Sequence, residues 1–542
     1  MNLIGLLSGI YYYTTDVNQW ENLIHPHLPK FLFPSDKKVL LDFYEGLSNT
    51  QTIPWSFWIK PLSFWFLFII AIYFLSICIM VLFRKQWSER ERLIYPLTHL
   101  PTEMVSVEKP IYKNPIMWLG FSLPAILYTL NGLHNFFPGI PSFYIFKYLP
   151  IFRRTFYIPL NVFFEVIGLA FLVSLDVSFS LWFFALLAIL LTGYMNIIGF
   201  SIGPVEPFSD PAPQAIAYQS LGALIVLSIS CIWFARSHIK DVWRKSIGRT
   251  SKIDDSGEIL SYRACVFGGT IAFIIATFFL YLTGLKLLPA IFFLLIGFII
   301  FLGLTRIVAQ AGLAYHRAPV IPAAVTLHTF GSNFLGSKGL ISLGLTFSWA
   351  TDIRTTVMAS TCNGLKLADN FKITGRKLFW AIILSILITL FASAWCTLLL
   401  GYRYGGINLS SWQLSGLANF SINWVKEYIQ YPVSFGKPQL FFTCLGGFLM
   451  ILLIIARTRF FWWSISPIGL ACGIPYPVYN TWFSVFIAWL IKFLIMRYGG
   501  IKIYNKIRPF FLGLILGTFV TGGIWLVIGY LTKTEGIRFT LA

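Results

Sequence analysis

Charge is what this chain has least of. Asp, Glu, Lys and Arg make up 11% of its 542 residues, and acids are the scarcer sign, 21 against 41 basic residues. A domain dissolved in water carries about a quarter of its residues as charges, so a soluble globular fold is excluded. Cysteine is sparse as well. The seven (Cys78, Cys231, Cys265, Cys362, Cys396, Cys444 and Cys472) lie mostly in apolar runs with no CxxC spacing, which leaves neither a zinc site nor a disulfide framework. They read as small core hydrophobes. There is no GxxxxGK[ST] loop and no soluble segment to hold one, which excludes nucleotide-driven pumping. HExxH and DxxD clusters are missing too, and the seven histidines are scattered. The chain is therefore read as a non-enzyme without metal or cofactor; His25 and His27 lack nearby partners that would make HPH a metal site.

Apolar residues dominate instead: 57% hydrophobic, 18% aromatic, with a mean hydropathy of +0.74. They fall in unbroken runs of about 20 rather than alternating strands of about 10, which selects helices over a barrel. The fold class is all-α, a polytopic transmembrane bundle of about ten to twelve spans with re-entrant or broken helices. Spans are expected at Pro61–Phe83, Pro115–Leu133, Phe156–Leu175, Ser178–Phe200, Gln214–Phe234, Ala264–Leu282, Leu287–Leu304, Leu378–Leu400, Gln439–Ile455, Tyr479–Met496 and Phe510–Tyr530. Residues 1–56 form an N-terminal cap, 57–252 a first membrane half and 253–542 a second, with an external interfacial loop at 401–437. Asn2–Tyr13 is too short to span and lacks the basic start and cleavage site of a signal peptide. It either dips into the interface or is the remnant of a longer membrane region.

Four apolar stretches are too short or too interrupted to cross as simple helices: Leu93–Met104, Ala311–Pro322, Gly336–Ala350 and Phe460–Pro475. Backbone freed by a break in hydrocarbon must be buried in protein or line a wet cavity, and unwound helices in two parts of a chain point to a midplane site in secondary transporters. The segment after Gly336 leads to TDIRTTVMASTCNGLKLADN, read as a polar surface helix with Asp352, Arg354 and Asp369 in structural ion pairs. The net charge of +20 invites a nucleic-acid partner, but the basic residues sit in short loops beside spans. That is the positive-inside pattern. It places loops 84–92, 236–252 and 497–508 in the cytoplasm of a cell whose inner membrane holds the chain.

The run NQWENLIHPHLPKFLFPSDKKVLLDFYEGL, then IPWSFWIKPL and RKQWSERERLIYPLTHLPTEM, resembles an uncharacterised family of bacterial multi-pass membrane proteins. TRIVAQAGL, the GSN segment, TDIRTT and LKLADN resemble the same family. It is itself distantly similar to the oligopeptide transporter superfamily, whose members carry a comparable basic-L-x-Y/F-P segment after a span. The resemblance runs from about Tyr11 onward. It implies further spans before the segment matching YYYTTDVNQW, within which this chain almost starts, and it assigns no substrate-binding residue.

Site candidates therefore come from the residues themselves. Arg306 and Gln310 end the Leu287 span, and His316 follows in the break. An arginine cannot shed its charge, so Arg306 needs an anion, a carboxylate or carbonyls, unless it snorkels to headgroups. Glu165 is the intramembrane acid; proton relay, substrate-amine site and partner of Arg306 all fit it. His99 and Glu103 lie on the broken Leu93–Met104 helix. These six line the expected pathway of a transporter without ATP, carrying a small polar solute such as a peptide or metal chelate, with Arg306 pairing alternately with substrate and Glu165. The other class is a structural subunit of a larger membrane assembly. The partners expected are lipid, a small polar substrate, and a second copy or other membrane subunits.

Overall fold

The computed structural model describes residues 2–34, 36–47, 52–106, 110–143, 145–249, 253–373 and 375–534. Among them, nine helical segments are long and apolar enough to cross a membrane, and the last, Tyr476–Thr532, turns back on itself at Gly500, where φ is 61°.

The chain begins with α1 (Asn2–Tyr12), the single turn α2 (Trp20–Leu23) and α3 (Lys37–Glu45), which is N-capped by Asp36 Oδ1 accepting from the Lys38 and Val39 amides. The long helix α4 (Trp55–Lys85) leads through a π turn at Gln86–Arg90 to a half-helix, α5 (Pro96–Val105), and then to α6 (Pro115–His134). A small antiparallel hairpin, β1 (Tyr148–Ile151) with β2 (Phe156–Pro159), pairs Tyr148 with Pro159 and Ile151 with Phe156. After it come the short α7 (Phe164–Leu172), then α8 (Leu175–Ile198), α9 (Gln214–Phe234), the amphipathic α10 (Arg236–Ser246), α11 (Tyr262–Leu282) and α12 (Leu287–Ala311). Two half-helices, α13 (Pro322–Phe330) and α14 (Ser332–Leu345), precede α15 (Met358–Asn370) and α16 (Arg376–Tyr404). The chain ends with α17 (Leu417–Gln430), α18 (Lys437–Arg459), the five-residue α19 (Ile468–Cys472), α20 (Tyr476–Leu494) and α21 (Gly500–Thr532).

Small residues decide how closely the long helices approach, because hydrocarbon provides no hydrophobic drive between helices and packing must supply it. Gly120 faces the Phe510 carbonyl, Gly132 faces Trp525, and Gly513 and Gly517 meet the carbonyls of Met117 and Phe121, so α6 and α21 run parallel at near-contact. A Cβ at Gly120 would collide with backbone. On α9 and α18, Gly222 and Gly446 do the same, with Gln214 bonded to Gln439 at one end. Each pair joins the first half of the chain to the second.

One end of the bundle is rich in charge, holding Arg84, Glu258, Asp369 and α10; residues 135–143, 145–163 and 199–213 lie at the opposite end. Between them the predicted Phe156–Leu175 helix is not a helix. It is strand β2, an extended stretch to Phe163, and the nine residues of α7. The extended backbone finds its partners on α20: the Phe163 amide donates to Ser484 Oγ at 2.9 Å, Ser484 Oγ donates to the Asn161 carbonyl at 2.9 Å, and the Asn161 side chain donates to Asn480 at 3.0 Å. At its far end Lys492 Nζ donates to the carbonyls of Phe171 (2.9 Å) and Val173 (2.6 Å), closing α7 as a C-terminal cation does.

Three further stretches pack more deeply than surface elements would. Part of 401–437 packs against the bundle, with Gln413 beside Gly5 and α17 lying along α14, Trp424 against Phe347 and the Val433 amide on Ser332. Segment α1 is buried in that same fold-back rather than resting at an interface. Aromatic residues with few charges read alike at an interface and in a packed interior, so sequence did not separate the two. Likewise α15 is no surface helix, since Met358, Cys362, Leu365 and Ala368 are buried.

Candidate functional site at the crossing of two unwound segments

Helix α12 stops because Gly312 takes a left-handed conformation (φ 65°) and its amide returns to the Val308 carbonyl at 3.0 Å. The residues that follow, including Pro319, cannot rewind, and helix restarts at Pro322, whose missing N–H costs nothing in the first turn. Pro322 packs on Gly297, halfway along α12, so the unwound strand has climbed back to mid-bundle. A second break lies beside it. After α14 and a turn at Thr346–Ser348 the chain is irregular until α15. That stretch is also mid-bundle, with Trp349 against Phe68 and the Thr355 carbonyl accepting from Tyr73 in the centre of α4.

The two segments pair with each other. Arg317 and Asp352 form an antiparallel bridge, and the Ile353 amide donates to the His316 carbonyl at 3.4 Å. Asp352 Oδ2 accepts from Arg354 Nη2 at 2.9 Å and Nε at 3.2 Å, with Arg317 Nε at 3.5 Å. One carboxylate thus serves two guanidinium groups. Arg354 also lies 3.9 Å over the Tyr315 ring. From the opposite end, the loop 199–213 reaches down to the same place: Ser209 Oγ donates to the Pro319 carbonyl at 2.5 Å, and Phe208 lies under Arg317.

Beside the crossing is a mostly apolar cavity of about 210 Å³. Its walls are Ala311–Tyr315 and Arg354 from the unwound segments, Glu165, Val166 and Leu169 from α7, and Thr481 and Val485 from α20. Glu165 is 7% exposed, its Oε2 has no hydrogen-bond partner, and no ion pair reaches it among the described residues.

The six predicted residues divide into separate groups. Arg306 does not pair with Glu165. Its Nη1 lies 2.5 Å from Glu91 Oε2, its Nε donates to Gln310 at 3.2 Å, and its guanidinium lies 5.4 Å from the Trp87 ring centre. The acid caps the π turn following α4, close in space to the end of α12 but more than two hundred residues away in sequence, so no spacing argument reaches it. Arg306 and Gln310 border a different cavity of about 400 Å³ at the charged end. His99 and Glu103, one turn apart on α5, both meet Arg508 Nη2, at 3.2 and 2.5 Å. His316 sits in the crossing, fully buried, with neither ring nitrogen hydrogen-bonded among the described residues. Only Glu165 lines the central cavity.

Arg317, Asp352, Arg354 and Tyr315 were missed as site residues. The signal was the break after Ala311 set beside a second break before Met358, each carrying an arginine. A second missed cluster lies toward the opposite end, where buried Glu206 meets His328 Nε2 at 2.8 Å, Gln214 at 2.6 Å and Tyr218 at 3.2 Å. The literal GxSxG run Gly199–Gly203 is no nucleophile elbow: it follows a helix, and Ser201 Oγ donates to the Gly203 carbonyl at 2.8 Å.

Apolar helices of this number, broken at mid-bundle around paired charges, define a multi-pass α-helical membrane protein. The chain belongs to a family of unknown function (DUF6785), whose model matches residues 1–541. No curated protein matches it. The family match carries no link to the oligopeptide transporter superfamily.

Proposed function

We propose that the protein is a secondary transporter, carrying a small polar solute by alternating access without ATP and without enzymatic chemistry. The observation that supports this reading most is the mid-bundle pairing of two unwound segments through Arg317 and Asp352, beside a cavity. Breaks of this kind expose backbone groups and charges where a continuous helix would hide them, and their cost is accepted where a solute must be held. Half-helices α13 and α15 leave the crossing toward opposite ends, so a tilt of either opens the cavity one way. On this reading the charged end, with α10 and the Arg84–Arg92 turn, faces the cytoplasm of a bacterial inner membrane, following the basic-residue bias. Residues 250–252 of that basic loop lie outside the described residues.

The test is flux. Purified protein in liposomes, offered a panel of radiolabelled amino acids, peptides, sugars and metal chelates under an imposed pH or sodium gradient, should accumulate one class without ATP, and Asp352→Asn should abolish it. A cysteine at Ala314, in a chain lacking its native cysteines, should be modified by polar thiol reagents from each side in turn. No flux, together with an unreactive Cys at that position, would retire transport.

One observation favours the structural-subunit reading. Helix α16 leaves an apolar stripe largely exposed (Trp380, Leu384, Ile388, Phe391 and Trp395, each 56–67% exposed), and it touches α4 through ring contacts of Phe379, Phe391 and Trp395. Lipid covers such a stripe as well as a protein does. Mass spectrometry of the tagged chain drawn from native membranes separates the two, since a stoichiometric partner set would favour a subunit.

A further inference from the structure

Resting on the transport reading for its use but not for its chemistry, we propose that the cavity between Glu165 and Arg354 binds a compact zwitterion: one ammonium, one carboxylate and an apolar body. Three features carry it. First, Arg317 and Arg354 share the single carboxylate of Asp352, so the crossing holds one positive charge in excess, and the Arg354 side chain remains 50% exposed. A ligand carboxylate is the complement of a guanidinium face left open in this way. Second, Glu165 lines the same cavity with a buried oxygen, Oε2, that has no hydrogen-bond partner among the described residues. A carboxylate withdrawn from water without a cation is costly, and a ligand ammonium would supply both charge and donors. Third, the wall between them is mostly hydrocarbon, from Val166, Leu169 and Val485, with Thr481 and the Tyr315 phenol as the polar exceptions. That wall offers sugars too few donors and acceptors, and a single excess positive charge does not match a phosphate dianion.

Leucine and phenylalanine serve as probes, with isoamylamine (leucine without its carboxylate) and 4-methylpentanoate (leucine without its ammonium) as half-ligands. Binding is read on the purified full chain in detergent, by equilibrium binding and thermal shift. The wild type should bind one of the amino acids at least tenfold more tightly than either half-ligand. Glu165→Gln should weaken the amino acid and isoamylamine at least tenfold and leave 4-methylpentanoate unchanged; Arg354→Gln should weaken the amino acid and 4-methylpentanoate at least tenfold and leave isoamylamine unchanged. Where Arg354→Gln fails to fold, Arg354→Lys keeps the charge but not the forked geometry, and should weaken only the two carboxylate-bearing ligands. Either half-ligand binding as well as the amino acid overturns the proposal, as does a silent Glu165→Gln or no binding by any probe. Binding without flux would retire transport and leave the site standing. Flux of another solute without amino-acid binding would retire the site and leave transport standing.

Discussion

At the charged end of the bundle the buried charges are matched; at the mid-bundle crossing they are not. Arg84 donates from Nε and Nη2 to both oxygens of Glu258 (2.7 and 2.8 Å) and from Nη1 to Asp369 at 2.6 Å, while Ser88 completes Asp369 and Lys366 completes Ser88. Arg306 has Glu91, which Gln86 also supports at 3.0 Å, and Arg508 has Glu103. At the crossing, two arginines divide one aspartate, and Glu165 has no cation among the described residues. Both regions are dominated by arginine and acid, and composition cannot tell them apart. The difference lies in the bookkeeping of partners: a closed network cements the ends of α4, α5, α12, α15 and α21, and an open one leaves valences for something not belonging to the chain.

The sharpest way to break this comparison is to open the closed network. Glu258→Gln removes the bidentate partner of Arg84, whose side chain is 13% exposed, and leaves it Asp369 and Glu89; full stranding of a buried charge costs about 3–5 kcal/mol, so this partial loss costs about 1–3 kcal/mol. Denaturant titration in detergent should show a loss of that size. A variant as stable as the wild type would mean that water already reaches Arg84 and that the network is ornamental.

The next prediction concerns which acid Arg306 uses. A double-mutant cycle between Arg306→Gln and Glu91→Gln should give a coupling of about 0.5–3 kcal/mol, whereas Arg306→Gln with Glu165→Gln should add to within about 0.5 kcal/mol. Coupling in the second cycle and not in the first would restore the Arg306–Glu165 pair and join the two regions into one.

What was legible follows the same division. The long spans were readable because an unbroken apolar run of 20 residues has one stable solution in a bilayer, and Pro115–His134 and Gln214–Phe234 fall within a residue of expectation. Breaks announced by proline and glycine were readable too, as at Tyr95–Pro96 and Gly312–Pro322. The Leu160–Phe163 stretch was not, because its backbone is satisfied by Ser484 and Asn480 from a distant helix. The same limit explains the site. Glu165 stood out as a lone acid in an apolar run, and the Asp352–Arg354 pair is two residues apart, but the partners of Arg306 and Arg317 are set by tertiary pairing, which no local spacing encodes.

A third variant sharpens the contrast from the other side. Glu165→Gln removes an acid that no cation holds, so its effect on stability should stay within about 0.5 kcal/mol or be stabilising, the opposite of Glu258→Gln although both side chains are buried. Equal losses from the two would show that Glu165 is tied into the structure as firmly as Glu258.

The smallest expected effect is a pH response, and it belongs to the closed end. His238 on α10 is buried, its Nε2–H donating to the Leu82 carbonyl at 3.0 Å. Burial, and then the neighbouring charge of Arg90, holds its imidazole below the usual histidine range. The sign follows from which state takes up the proton. Below about pH 6.5 the unfolded chain protonates this histidine while the folded one keeps it neutral. The unfolded state then binds more protons, and stability falls as pH falls from that point toward the depressed folded value. His238→Gln, which keeps a donor but cannot titrate, should flatten the profile on the limb below about pH 6.5, as read by thermal midpoints along it. Were the slope to survive in His238→Gln and vanish in Glu165→Gln, the titrating group would sit at the crossing, and proton uptake would have to be counted among the open valences there.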